Sequence, residues 1–280
     1  MSKTLRQNVS RKNTSRKNKN SKKNVKHYSR KNKKNNMRGG GREKLDERLL
    51  DRIRENDPTL ITLDIYDNNI GNKEAIALVD ALKVNKTLAT LNMNNNNIGV
   101  EGAQALANAL GKDGNTSLTI LKMRSNSIGD AGAQALADAL KVNTTLIYLD
   151  ITDNNIGDAG AKAFTEVLQT NKTLTHLGLV MNKIGDAGAL ALLKALKDNT
   201  TLIQFSIVMN DVNNQKIMVD IKNLIDRNIL RNKQIEKQKE LFILGTLALG
   251  NKTSKLSNIG PSAMSLVSNM TARKFTAQNF

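Results

Sequence analysis

The sequence contains no cysteine and no tryptophan, two histidines, and three per cent aromatic residues over 280 positions. The lack of cysteine removes disulfide frameworks, thiolate zinc sites, iron–sulfur clusters and cysteine nucleophiles together. His27 and His176 stand far apart in the chain, so no histidine-based metal site or catalytic triad can be read from spacing. No metal and no cofactor is expected. With so few aromatics, any core must be aliphatic. Long apolar runs are missing too: the stretch from Leu241 to Leu249 is about half of the ~20 residues a membrane-spanning helix needs. The N-terminus is charged from Lys3 onward without an apolar segment, so no secretory signal is read and an intracellular protein, cytoplasmic or nuclear, is expected.

Acidic residues are absent from one part of the chain. Residues 1–42 hold 16 Lys and Arg and no Asp or Glu, whereas the remainder carries 27 basic against 25 acidic residues. A nearly neutral body therefore bears a polybasic arm. Its filler is Asn and Ser, too poor in apolar side chains to offset the entropy of ordering, and the arm is predicted to be disordered. Such a polycation suits nucleic acid, an anionic surface or, through Arg30-Lys31-Asn32-Lys33-Lys34, nuclear import. Its lone aromatic, Tyr28, supplies no stacking series for single-stranded bases.

The body is a repeat. Leu60, Leu88, Leu118, Leu146, Leu174 and Leu202 follow one another at intervals of 28, 30, 28, 28 and 28 residues. Three positions after each comes Leu63, Leu91, Leu121, Leu149, Leu177 or Phe205, and five after comes Ile65, Met93, Met123, Ile151, Leu179 or Ile207. Eight after stand Asn68, Asn96, Asn126, Asn154, Asn182 and Asn210; ten after, Ile70, Ile98, Ile128, Ile156, Ile184 and Val212. Alternation at offsets three and five predicts a short strand with one buried face, and stacking of the units pairs those strands into a parallel sheet. The asparagine stands where the chain leaves the sheet, and a buried amide can serve backbone groups that no ladder reaches. Six in register predict an asparagine ladder.

The second half of each unit has helical spacing. Ala133, Ala135, Leu136, Ala139 and Leu140 match Ala161, Ala163, Phe164, Val167 and Leu168 one period later, a single apolar stripe. Gly71, Gly99, Gly129, Gly157 and Gly185 follow the buried aliphatic, where a positive φ or a close backbone approach is expected. Asn85, Asn143, Asn171 and Asn199 stand at the helix ends, and their tolerance of the left-handed conformation predicts a left-handed close to each helix. Sequons at Asn143, Asn171 and Asn199 are assigned to the repeat pattern rather than to glycosylation. Two extra residues around Gly111-Lys112-Asp113-Gly114 predict an outward bulge.

The period, together with Asn154-Asn155-Ile156-Gly157-Asp158-Ala159-Gly160-Ala161 and its copy at 182–189, resembles the ribonuclease-inhibitor-like class of leucine-rich repeats, over about residues 50–230. That resemblance implies an α/β horseshoe of about six repeats, with a parallel inner sheet and outer helices, and a protein-binding scaffold. One branch of the class, the Ran GTPase activators, acts on a partner's hydrolysis. Residues 52–60 also resemble the approach to the repeat domain in tropomodulins, a match too short to carry actin binding across, so a GTPase-activating or actin-regulating protein of the same fold stays the alternative. The division expected is a basic arm over 1–42, a helical cap over 43–59, repeats over 60–230, a helical extension over 231–249 and a poorly ordered tail over 250–280. The cap rests on Leu45, Leu49, Leu50 and Ile53 at helical spacing.

Offsets two, four, six and seven project from the inner curve of the sheet by alternation with the buried positions. There the early repeats place Asp64, Tyr66 and Asp67, the middle ones Lys122 and Arg124 beside Asp150 and Asp153, and the last two His176, Val180, Met181, Val208 and Met209. These residues are the candidate partner-binding face, polar at one end and apolar at the other. The aspartates are expected to balance Lys122 and Arg124. Asp150, Asp153 and His176 lie on neighbouring strands, but an open sheet offers neither a desolvated pocket nor a nucleophile, and no intrinsic catalysis is expected. The expected partner is a protein, bound by a monomer.

Overall fold

A computed structural model of the protein describes residues 45–112 and 114–253. The basic arm and the tail beyond residue 253 lie outside the described residues. Helix α1 (Glu47–Arg54) precedes six strand–helix units: β1 (Thr62–Asp64), α2 (Asn72–Leu82), β2 (Thr90–Asn92), α3 (Val100–Leu110), β3 (Ile120–Lys122), α4 (Gly129–Leu140), β4 (Tyr148–Asp150), α5 (Asp158–Thr170), β5 (His176–Gly178), α6 (Asp186–Leu196), β6 (Gln204–Ser206) and α7 (Gln215–Thr253). The strands form one parallel sheet in sequence order, and the residues that pair across it are those the repeat aligns: Leu63, Leu91, Leu121, Leu149, Leu177 and Phe205. The helices pack side by side as a second layer. The leucine-rich-repeat solenoid read from the sequence is the observed fold.

Between the layers runs a single aliphatic core. Every leucine at the head of a repeat is buried, as are the residues three and five positions later. Alanines 75, 103, 133, 161 and 189 are fully enclosed, and their small side chains let each helix lie close to the sheet.

Strands of three residues leave the turn that follows without ladder partners, and the asparagines supply them. The Asn182 amide donates to the carbonyls of Ile151, Leu179 and Val180, and its carbonyl oxygen accepts from the backbone N–H groups of Asn154 and Ile156 in the preceding repeat. Asn96, Asn126, Asn154 and Asn210 repeat the pattern. The Asn68 side chain, in the first repeat, has no earlier coil to serve and donates to the Tyr66 carbonyl of its own coil.

A second asparagine row closes the helices by a different device from the one expected. Asn85, Asn143, Asn171 and Asn199 are not left-handed; Asn171 is extended, at φ −71°. They act through the side chain instead. Asn171 donates to the carbonyls of Leu140 and Asn143 in the repeat before it and accepts from the N–H groups of Thr173 and Leu174, and Asn85, Asn115, Asn143 and Asn199 do likewise. All are buried with their amides committed, so the sequons serve the fold.

The glycine expectation also shifts. Among the five, only Gly129 has a positive φ, +61°; Gly71, Gly99, Gly157 and Gly185 are extended and precede the helices. Close approach occurs three residues later. A Cβ on Gly160 would sit 2.6 Å from Ile156 Cγ2 and 2.7 Å from Asp130 Oδ1, a distance no side chain can occupy. That Asp130 oxygen accepts from the N–H groups of Gly157 and Gly160, so the first turn of α5 is capped by the preceding repeat. Asp158 caps α6 in the same way, and Asn72 caps α3. Val100 occupies this position one repeat before Gly129 and has no oxygen to offer, and there Gly129 turns left-handed and donates its N–H to the Asn154 carbonyl.

The ends differ. Leu49, Leu50 and Ile53 of α1 cover the first repeat, and Asp46 caps that helix through the Leu49 N–H. At the other end α7 packs Ile217, Ile221 and Ile225 against the core, while Arg227 donates to the carbonyls of Leu196, Lys197 and Asn199 and so closes α6. Helix α7 runs unbroken across residue 230.

Replacing Asn182 by Ala leaves buried donors and acceptors of two repeats unpaired and is expected to lower unfolding free energy by about 2–4 kcal/mol, whereas Asn68→Ala costs less than about 1 kcal/mol. Urea unfolding of the two variants measures the difference.

Candidate functional site

The concave sheet carries one row of side chains for each outward offset, with neighbours in a row separated by the strand spacing of about 4.8 Å. At offset four, register places Asp64, Asn92, Lys122, Asp150, Gly178 and Ser206 side by side. Offset two sets Tyr148 next to His176, with ring centroids 5.3 Å apart, and the Lys122 ammonium lies 5.9 Å from the Tyr148 ring centre. Tyr148, absent from the residues expected on this face, holds the same offset as His176 one repeat earlier.

The acidic residues of this face are hydrogen-bonded within the protein. Asp64 accepts from the Tyr66 N–H and the Asn92 amide, and Asp67 accepts from the Asn95 amide. Asp150 accepts from the Thr152 N–H, and Asp153 from the Ser125 hydroxyl. Lys122 and Arg124 behave differently. Among the described residues neither forms an ion pair within 4 Å, so the expected balance with Asp150 and Asp153 is not made by contact. Asn94 accepts from the Arg124 backbone N–H, and Arg124 is an exposed residue.

His176 does not join a catalytic group. Its Nδ1 lies 2.7 Å from the Thr175 hydroxyl, its ring rests near Tyr148, and no hydrogen bond links it to Asp150 or Asp153. Burial holds the imidazole below its ordinary value of 6.5. Burial, and secondarily the Asp150 charge, raises the Tyr148 phenol above its ordinary value. Among the described residues, no group of three or more carboxylates and histidines could hold a metal ion, and no helix is long and apolar enough to cross a membrane.

The two final strands make the apolar end. Val180 is half-buried, while Met181, Val208 and Met209 are exposed, Met209 by 70%. They touch through the sheet: the Met181 N–H donates to the Val208 carbonyl. Their offset has a conformational cost that the sequence did not disclose. At offset seven, Asp67, Asn95, Ser125, Asp153, Met181 and Met209 all have φ between 52° and 57°. Asp and Asn adopt that region readily; a long unbranched side chain gains nothing there to offset a cost of about 1–2 kcal/mol. Two methionines are held strained and exposed at adjacent positions.

The comparisons agree with the repeat. A family model, the Leucine Rich repeat, matches residues 84–107, 114–137, 142–164 and 170–193. That model covers four of the coils, and the structure carries the same solenoid pattern through six. No curated protein matches its sequence. Similar solved structures include leiomodin-1 actin-binding site 2, at 22% identity and TM-score 0.47 over 70% of this chain and 96% of that one. Another is the tropomodulin C-terminal domain of Caenorhabditis elegans, at 13% identity and TM-score 0.46 over 68% and 96%. Neither carries a partner across to this chain.

Because the folded imidazole takes up a proton less readily than the unfolded one, stability contributed by neutral His176 is complete well above pH 6.5 and is lost as pH falls through that value. His176→Gln is expected to flatten the decline in urea midpoint between about pH 7.5 and pH 5.5 while leaving the neutral-pH value little changed.

Proposed function

We propose that the chain is a nonenzymatic scaffold that holds a protein partner on its concave sheet, with Val180, Met181, Val208 and Met209 receiving the partner's apolar anchor. The observation that carries this reading is the pair of strained, exposed methionines. The repeat imposes this conformation at offset seven of every coil, and where the other coils carry Asp, Asn or Ser the last two carry Met, which keeps apolar side chains on the face at a conformational cost. Met side chains are flexible and polarizable, suited to adapt to a partner's shape. An apolar cluster flanked by polar residues is also where anchor residues concentrate binding energy. On the open sheet His176 bonds the Thr175 hydroxyl, Asp150 the Thr152 N–H and Asp153 the Ser125 hydroxyl, an arrangement that supports binding over chemistry. In this reading Asp64, Tyr66, Asp150, Asp153 and His176 line the approach, and the basic arm adds contacts to an import receptor, an anionic membrane or nucleic acid inside the cell.

The double substitution Met181→Asp with Val208→Asp is expected to abolish partner capture while shifting the melting temperature by no more than a few degrees. Loss of fold together with capture would assign the cluster to the core. Met209→Asn removes the conformational cost and is expected to raise unfolding free energy by about 1 kcal/mol while weakening capture. Parallel thermal melts and pull-downs read both quantities.

A further inference from the structure

The concave face carries charge of both signs, and the two signs are held differently. Its aspartates accept internal hydrogen bonds from neutral donors and keep their charge, whereas the two cations of β3 and its following turn, Lys122 and Arg124, form no ion pair among the described residues. The apolar ends of Met181, Val208 and Met209 stand two and three strands further along the same face. Resting on the reading of that face as the binding surface, we propose that its occupant is a helical protein segment bearing a carboxylate for Lys122 and Arg124 and an apolar anchor for the methionine cluster.

The geometry sets the spacing. Two to three strand separations amount to about 10–14 Å. A helix laid across the strands covers that distance in about seven to nine residues, at 1.5 Å each. Positions seven or eight apart return to one helix face, so a single stripe of the partner meets both features. The anchor supplies buried apolar contact, and the carboxylate fixes direction: reversed end for end, the segment would set its acid against the methionines and leave two cations unpaired. An acidic residue next to β4 is disfavoured by Asp150 and Asp153, which narrows the carboxylate to the third repeat.

A random linear peptide library displayed on phage and selected on the full chain tests this without knowing the natural partner. The expected consensus has Asp or Glu seven or eight positions from an apolar cluster. Synthetic copies should lose about tenfold or more in affinity, by fluorescence polarisation, on K122E/R124E and on M181D/V208D. A Glu→Lys copy should in turn bind K122E/R124E better than the unaltered protein. The basic arm is common to all these proteins, so attraction of acidic peptides to it cancels in the comparison. Peptides sensitive to M181D/V208D but indifferent to K122E/R124E overturn the carboxylate while leaving the concave reading standing. Peptides indifferent to both, or no enrichment over a variant carrying all four substitutions, overturn the proposal and that reading together. Circular dichroism of each variant, with K122Q/R124Q as the milder pair, separates lost contacts from lost fold.

Discussion

Everything in this fold depends on the satisfaction of backbone groups at the end of very short strands. Three residues form few ladder bonds, and the chain then turns away inside an aliphatic core where water cannot replace them. A buried unpaired N–H or carbonyl costs about 1–3 kcal/mol, and with six turns stacked in a column the sum would exceed the stability of an ordinary domain. The amide of asparagine solves this because it both donates and accepts, and because the side chain reaches the neighbouring turn. Leucine supplies the attraction between layers; asparagine makes that attraction possible without a polar penalty. The carboxylates at the helix starts complete the arrangement by capping the next coil.

Much of this was legible. The register of the leucines named the buried positions in all six repeats, because a fixed period leaves a single way to put alternating side chains on one face. The ladder followed from the same register. The helix-closing asparagines were placed correctly and explained incorrectly: left-handed tolerance and side-chain capping both select asparagine, and residue type alone does not separate them. Offset seven was opaque for the opposite reason, since Asp, Asn, Ser and Met share no preference that would advertise one conformation. Gly129 could have been foreseen from Val100, where the capping acid is missing and the next coil must find another donor geometry.

The concave face was readable as a list of residues and not as a set of interactions. Sequence placed Lys122 and Arg124 next to Asp150 and Asp153, and proximity suggested ion pairs. The sheet instead turns those carboxylates toward Thr152 and Ser125, so the local backbone and hydroxyl groups claim them first. Which charges remain available therefore depends on hydrogen bonds of the turns, a level of detail that periodicity does not encode. The methionines illustrate the converse: their exposure could be anticipated from offset alone, while their strain required coordinates.

The direction of the amide bonds has a consequence for how the chain is made. Each ladder asparagine seals the coil before its own, so a nascent polypeptide leaving the ribosome always ends in a coil whose polar atoms await the next one. Loss of coils from the carboxyl end exposes unsealed backbone at once, and Asn210 with Asn228 beyond it acts as the terminal lock that halts the series.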